Sequence, residues 1–365
     1  METNTYISDL AIHPGELLEE TIEEIGMSQA ELANRLGRPT QAINEIIKGK
    51  KSITPATAIE LEDVLRVPAH IWIGLESEYQ MVKAKQEELK VMEQETSLLD
   101  RFPYFDLSKL GFVEKTRDKI KKVDELRSFF SVANLSRIEH VGAYQSAFRV
   151  TSHKNITHES IASWIQAGRL EADTIDTKPF DNSKLKKLLP KIKKSMLLDL
   201  NDAISTCKEL LASCGVAFVL MPHFKNTGAQ GATFWLNNKD KAVLMMSLRG
   251  KSSDKFWFSF FHEIGHILLH KKREIFIENG YDTPELREQE EEANQFARDL
   301  LIPQKDFEVF VMSGSCKSEA SVKTFAKSLN IKTSIVVGRM MHEKLISYTH
   351  PLRREIDKYE FKNEI

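Results

Sequence analysis

The 365-residue sequence is poor in cysteine and has no long apolar run. Its three cysteines, Cys207, Cys214 and Cys316, form no Cys-x-x-Cys pair, which excludes a disulfide framework and a thiolate zinc ribbon. No stretch of about 18 apolar residues is present, so we expect no membrane span and no membrane partner. The first residues lack the basic and apolar regions of a secretion signal, and we therefore expect a soluble cytoplasmic protein.

Neither sign of charge dominates the chain as a whole. The 51 Lys/Arg residues nearly balance the 53 Asp/Glu residues, which excludes a uniformly basic nucleic-acid coat. The hydrophobic fraction of 41% is typical of globular proteins, and 365 residues are enough for two or three domains. Residues 1–80 hold six basic and fourteen acidic residues, a net charge of −8. The basic residues of this acidic part cluster at Arg35, Arg38, Lys48, Lys50 and Lys51. The cluster predicts one face with a distinct function, and the alternative is a set of solvated side chains around a turn.

The first 80 residues have the pattern of short helices separated by tight turns. Pro14 begins a helix that ends near Ile25 and turns Ile25 inward, and Ser28 with Glu31 forms a capping box at the start of the next helix. A third helix spans about residues 40–47, and glycines at positions 26, 37 and 49 end the three helices. Two short helices joined by a tight turn predict a helix-turn-helix, although a plain helical bundle has the same periodicity.

In a helix-turn-helix, the third helix of this region would lie in the major groove of DNA. Amide side chains pair bidentately with adenine, and a lysine reaches guanine or phosphate. A polar side chain at the start of the second helix is placed to donate to a phosphate. The predicted DNA contacts are Gln29, Thr40, Gln41, Asn44, Lys48 and Lys50.

Three segments of this region carry a family resemblance: His13–Leu17, Met27–Ala33 and Ile46–Lys50. They resemble the XRE-type helix-turn-helix of HigA-like antitoxins, and the resemblance extends over about residues 10–80. It implies a homodimer that binds a palindromic operator in double-stranded DNA, and a role in transcription regulation or toxin–antitoxin control. The acidity of the region departs from what non-specific DNA binding favours.

The middle of the chain carries no chemical motif. Residues 80–100 are predicted to form a continuing helix or linker, with a dimer coil as the alternative. The run from Lys184 to Lys194 has six lysines and no acid, and a solvated helix face is favoured over a nucleic-acid contact. We predict a DNA-binding domain at residues 1–80, a helical middle region at 81–205, a further domain at 206–345, whose motifs are described next, and a tail at 346–365.

Three apolar runs, Val216–Met221, Thr233–Leu236 and Ala242–Met246, predict a small sheet, and an apolar segment with a His-Glu-x-x-His pattern follows them. Residues four apart share a face of a helix, so His262 and His266 would point at one ion. Glu263 lies beside that face, where it would take a proton from a metal-activated water as the general base. The alternative is a core helix with hydrogen-bonded histidines, but this trio among Phe, Ile and Leu needs buried partners, and Zn²⁺ supplies one.

A catalytic zinc needs a third protein ligand. The next predicted helix, Leu286–Leu301, offers four glutamates: Glu288, Glu290, Glu291 and Glu292. Glu292 lies at the edge of the buried face, four residues before Phe296. Glu290 adjoins the buried alanines of the helix and stays open as the second candidate.

The segments His262–His266, Glu292–Ala297 and Leu300–Pro303 resemble the ImmA/IrrE family of zinc metallopeptidases, over about residues 205–345. The resemblance implies a Zn²⁺ site held by His262, His266 and Glu292, and cleavage or regulation of repressor proteins. His270 is a candidate stabiliser of the transition state, with an exposed surface histidine as the alternative.

The sequence thus predicts an α+β multidomain protein with an all-α helix-turn-helix domain, a helical middle region and a small zincin-like metallopeptidase domain. The predicted function is a DNA-binding transcriptional regulator with a gluzincin-type zinc endopeptidase that cleaves a protein partner, such as a repressor or a toxin–antitoxin component. The alternative is a HigA-like antitoxin or repressor whose zinc domain binds a partner or senses a signal without proteolysis. A third possibility is self-cleavage near residues 85–100.

Overall fold

The computed structural model describes residues 12–144, 156–228, 230–236, 240–248, 252–270, 276–277, 284–314, 316 and 318–359. The chain forms two compact units, Met1–Thr96 and Ser97–Ile365. Helices and one small sheet make it an α+β multidomain protein, as predicted. No helix within these ranges is long and apolar enough to cross a membrane.

The first unit is all helical. Its helices are α1 (Pro14–Glu24), α2 (Gln29–Arg35), α3 (Thr40–Ile47), α4 (Pro55–Leu65) and α5 (Ala69–Glu95). The predicted capping box starts α2, since the Ser28 hydroxyl accepts a hydrogen bond from the Glu31 amide at 3.2 Å. The helix α5 runs through the predicted boundary at residue 80, so this unit extends to Thr96.

The core of the first unit collects the apolar faces of its helices. Leu18, Ile43 and Trp72 are fully buried, and the Trp72 indole donates to the Val67 carbonyl at 3.2 Å. The prediction that Ile25 faces inward is wrong, because Ile25 lies at the end of α1 and is 55% exposed. The chain turns away there through Gly26, whose positive φ of 68° favours glycine.

The second unit begins with a helical region. Its helices are α6 (Tyr104–Lys109), α7 (Lys119–Phe130), α8 (His158–Thr174), α9 (Asn182–Ser195) and α10 (Leu200–Ala212), with 3₁₀ turns at Thr96–Arg101 and Leu135–His140. The lysine-rich run lies on α9, where Lys193 Nζ donates to the carbonyls of Leu300 at 2.7 Å and Leu301 at 3.0 Å. At least this lysine therefore serves the fold, because it caps the end of another helix.

A four-stranded sheet follows. Its strands are β1 (Val216–Leu220), β2 (Gly231–Leu236), β3 (Lys241–Met246) and β4 (Phe276–Ile277), in the order β1-β3-β2-β4. The strand β3 pairs parallel with β1 and antiparallel with β2, while β2 pairs antiparallel with β4. The three predicted strands are confirmed, and the two-residue β4 is an addition that no apolar run indicated.

The remaining helices share one apolar core with this sheet, and the first of them packs on β2 and β3 and carries the predicted motif. They are α11 (Ser253–Leu269), α12 (Pro284–Leu301), α13 (Gln304–Met312), α14 (Glu319–Ser328) and α15 (Thr333–His342), followed by a 3₁₀ turn at Pro351–Glu355. A Cβ on Gly265 would lie 3.1 Å from the Phe296 ring and 3.2 Å from the Ala293 Cα. Glycine therefore lets α11 and α12 approach closely, and this approach positions the site described below.

Candidate nucleic-acid interface and candidate metal centre

The predicted DNA contacts lie together around α3 in the first unit. Thr40, Gln41, Lys48 and Lys50 are exposed, and Asn44 is half-buried. The Asn44 side-chain amide on α3 donates a hydrogen bond to the Gln29 side-chain oxygen on α2 at 3.2 Å, so the two residues form one polar pair. This pair holds the Asn44 side chain, while the Gln41 amide donates to Glu45 at 2.9 Å.

The basic cluster of this unit divides into two parts. Arg35 is paired with Glu31, and Arg38 is paired with Glu60. The hydrogen bond to Glu60 raises the pKa of Arg38, against a smaller opposite effect of burial. Within the described ranges the exposed lysines at positions 48, 50 and 51 make no ion pair with a carboxylate. These lysines are therefore the cations that remain for an anionic partner such as phosphate.

A candidate metal centre lies between α11 and α12 in the second unit. His262 and His266 are buried, and Glu290 of α12 faces both of them. The Glu290 carboxylate oxygens lie 3.3 Å from His262 Nε2 and 3.4 Å from His266 Nε2, and the two nitrogens lie 2.9 Å apart. Tetrahedral zinc ligands at about 2.0–2.2 Å from the ion lie about 3.3 Å from one another. The two carboxylate-to-nitrogen distances match this spacing, and the two nitrogens lie somewhat closer together than it.

The glutamate that faces the two histidines is Glu290, whereas the family resemblance implies Glu292. Glu292 is absent from this cluster: its side chain is 56% exposed and its carboxylate lies 3.0 Å from His270 Nε2. The physical reason is helix geometry, because residues two apart on α12 point about 200° apart around its axis. Only one of Glu290 and Glu292 can face the histidines, and the packing of α12 on α11 selects Glu290.

Other side chains orient the two histidines. Asn294 Oδ1 lies 3.0 Å from His262 Nδ1, and His270 Nδ1 lies 2.9 Å from His266 Nδ1. With Nδ1 donating to the Asn294 carbonyl oxygen, a neutral His262 presents its unprotonated Nε2 to the cluster. His270 is no exposed surface residue, since its side chain is only 3% exposed, and it links His266 to Glu292.

The charge states of the cluster suit a cation. Burial lowers the pKa of His266 to about 4, so this imidazole is neutral at pH 7. Burial raises the pKa of Glu290, but its contacts with His262 and His266 outweigh burial and lower it to about 2. An ionised carboxylate and a neutral imidazole are the forms that ligate a metal.

The predicted general base is held from the sheet side. Glu263 is fully buried, and the Thr233 hydroxyl of β2 donates to its Oε2. A Cβ on Gly231 would lie 2.5 Å from Glu263 Oε1, so any larger residue at position 231 would clash with the Glu263 carboxylate in its present position. Sequence reasoning missed Thr233, Gly231 and the orienting role of Asn294. Asn294 lies two residues after Glu292, in the segment that carries the family resemblance, so the sequence did contain a signal for its role.

Comparison with known proteins matches both parts of the chain. The family described as IrrE N-terminal-like domain, a peptidase family, matches residues 222–341. A helix-turn-helix family matches residues 18–72. The first match contains the candidate metal centre, and the second contains α2 and α3.

The individual relatives described here each match a quarter of the chain or less. Virulence-associated protein I of Dichelobacter nodosus is 34% identical over 82 residues, which are 22% of this chain and 76% of that protein. The uncharacterised helix-turn-helix transcriptional regulator YddM of Escherichia coli is 25% identical over 73 residues, 20% of this chain and 78% of that protein. Among solved structures, the antitoxin HigA of Pseudomonas aeruginosa with its higBA promoter is 33% identical, covering 24% of this chain and 95% of that one, with a TM-score of 0.22.

Proposed function

We propose that this chain, which belongs to the XRE-type helix-turn-helix family in its amino-terminal domain and to the IrrE-like peptidase family in its carboxy-terminal domain, is a DNA-binding regulator with a zinc-dependent endopeptidase. Its substrate is a protein partner, such as a repressor or a toxin–antitoxin component. The observation that carries the proposal is the convergence of His262, His266 and Glu290 beside a buried Glu263.

The amino-terminal domain would bind an operator in double-stranded DNA, in the cytoplasm. Asn44, held by Gln29, would read a base edge together with Gln41 and Thr40. Lys48 and Lys50 would contact phosphates, and this contribution falls as the salt concentration rises. Because helix-turn-helix proteins commonly bind paired half-sites as dimers, we assign a homodimer to the DNA-bound form.

In the carboxy-terminal domain, His262, His266 and Glu290 would hold zinc, and Glu290 replaces Glu292 as the assigned third ligand. When bound, zinc supplies a Lewis acid that lowers the pKa of water and polarises a peptide carbonyl. Asn294 and His270 keep the Nε2 lone pairs of the two histidines directed at the ion.

Glu263 moves the proton in this scheme. Its Oε2 accepts from the Thr233 hydroxyl, so we assign Oε1 as the atom that takes the proton of the attacking water. The same carboxyl group then returns the proton to the leaving amine. The burial of Glu263 keeps bulk water from competing for this proton.

The test compares the wild-type chain with Glu263→Gln and His262→Ala, and uses Glu288→Gln on an exposed turn of α12 as the matched control. Zinc content is measured by plasma mass spectrometry, and new amino termini are identified by terminal-amine labelling of cells that express each chain. We expect one zinc per wild-type, Glu263→Gln and Glu288→Gln chain, and none in His262→Ala. New termini should arise only with wild type and Glu288→Gln.

Two outcomes contradict the proposal. A folded wild type that takes up no zinc would remove the metal centre. Equal sets of new termini with wild type and a zinc-loaded Glu263→Gln chain would remove the peptidase. The latter result favours the reading in which the zinc domain binds a partner or senses a signal. New termini on the chain itself near residues 85–100 would identify self-cleavage.

A further inference from the structure

A large cavity adjoins the candidate metal centre within the second unit. Its volume is about 1100 Å³, and its walls come chiefly from α11, α12, α15 and the segment after α15. Asn294 and Phe258 line it, and both contact His262: the Asn294 oxygen at 3.0 Å and the Phe258 ring at 6.4 Å between ring centroids. The volume lies just above the range of about 300–1,000 Å³ found for small-molecule pockets, so it has room for a peptide segment.

The charged lining of the cavity is mostly positive. The lining contains five cationic side chains and two carboxylates. The cations are Lys255, Arg298, Arg339, Arg353 and Lys358, and the carboxylates are Asp254 and Glu291. Two of the cations are already neutralised, Arg298 by Glu291 and Arg339 by Glu343. The other three make no ion pair with a carboxylate in the described part of the chain. The lining of the cavity therefore carries a net positive charge, which favours an anionic occupant.

The cavity wall also offers unused hydrogen-bonding oxygens. Asp254 Oδ1 and Ser252 Oγ are buried and have no hydrogen-bond partner among the described residues. Buried polar atoms of this kind are normally paired in the functional state of a protein. The Asp254 carboxylate accepts hydrogen bonds and adds negative charge to the wall, so it favours an occupant that carries donors, as a peptide backbone does. A phosphate chain would bring only further acceptors to it.

We propose that this cavity binds an acidic segment of the protein partner and so presents the neighbouring peptide to the candidate metal centre. The acidic side chains of the segment pair with Lys255, Arg353 and Lys358. The proposal rests on the proposed peptidase function for its purpose, but the binding it describes needs neither zinc nor cleavage.

The test measures binding to the full-length chain by fluorescence polarisation. The probe is a labelled, end-capped octapeptide of alternating Glu and Ala, and its counterparts carry Gln or Lys in place of Glu. A single-stranded oligonucleotide of equal charge is the fourth ligand. The protein variants are Lys255→Glu and Lys358→Glu, with Lys186→Glu on the exposed face of α9 as the matched control. Circular dichroism and zinc content check that each variant is folded.

We expect the acidic peptide to bind the wild-type and Lys186→Glu chains alike, with and without zinc, and more weakly at high salt. Each charge reversal in the cavity removes one exposed ion pair and adds a repulsion of similar size, so binding should weaken by about 2- to 30-fold. Unchanged affinity in both cavity variants overturns the proposal, as does tighter binding of the Lys peptide, the Gln peptide or the oligonucleotide. Peptide binding by a chain that cleaves nothing would overturn the peptidase function and leave the cavity assignment standing.

Discussion

Replacement of Glu290 and of Glu292 by glutamine separates the two residues that compete for the third ligand position. Glu290 places its oxygens 3.3 and 3.4 Å from the inward nitrogens of His262 and His266, whereas Glu292 reaches only His270, at 3.0 Å. Glutamine keeps the size of the side chain and removes its charge. We expect Glu290→Gln to lose zinc at micromolar concentrations and Glu292→Gln to keep it.

The expected magnitudes follow from the two positions. Zinc binding to a full ligand set in small zinc domains is worth about 10–16 kcal/mol at pH 7. Divided over four ligands, one ligand contributes about 2.5–4 kcal/mol, or about 70- to 900-fold in the dissociation constant. A residue that orients a ligand is worth about 10- to 100-fold. Glu292 acts on His266 through His270 and is 56% exposed, so its variant should lie at or below the lower end of that range.

Competition with a chromophoric zinc chelator measures these constants on the full-length chain. His270→Ala breaks the link to His266 and should weaken zinc binding by about 10- to 100-fold. His140→Ala is the matched control, since His140 is 64% exposed and lies outside the cluster. The visible spectrum of the Co²⁺-loaded chain reports the ligand geometry independently. Loss of zinc in Glu292→Gln together with wild-type affinity in Glu290→Gln would refute the assignment.

Three further variants test other parts of the structure. Thr233→Val removes the hydroxyl that holds Glu263, so proteolysis, followed through the new amino termini, should fall about 10- to 100-fold with zinc content unchanged; full activity would show that this hydrogen bond has no part in the reaction. Asn44→Ala should weaken gel-shift binding to DNA selected by the wild-type chain by about 1–3 kcal/mol, and equal retardation would count against the interface. Lys193→Met removes the ammonium group that caps α12 at the Leu300 carbonyl, and urea unfolding should lose about 1–3 kcal/mol, whereas the exposed Lys186→Met should change little.

Local signals were sufficient to predict α1, α2 and α3 of the first unit. Ser28 and Thr54 cap α2 and α4 through their own side chains, and Gly37 takes the positive φ of 63° that ends the α2 turn. These interactions span only a few residues, so the sequence contains all of their partners. The wrong prediction at Ile25 also has a local cause. The helical periodicity of the sequence continues to Ile25, whereas the backbone leaves the helix after Glu24.

The histidine pair was predictable for the same reason, since spacing of four residues within one helix fixes their common face. Which glutamate faces this pair was not predictable, because it depends on how α12 rotates against α11. Spacing kept Glu290 open as a candidate through its relation to the buried alanines, whereas the family resemblance led to Glu292. The anchoring of Glu263 by β2 was also out of reach, since Thr233 lies thirty residues away in the chain.

The close approach of α11 and α12 is what joins these features into one site. Gly265 lacks a side chain where Ala293 and Phe296 of α12 come nearest, so the helix axes approach more closely than larger residues allow. Glu290 and Asn294 are four residues apart and share the face of α12 that meets His262. The close packing at Gly265 therefore positions both the candidate ligand Glu290 and Asn294, which orients His262. A larger residue at position 265 would move both away from the histidines together, which explains why the ligand spacing and the packing of these two helices cannot vary separately.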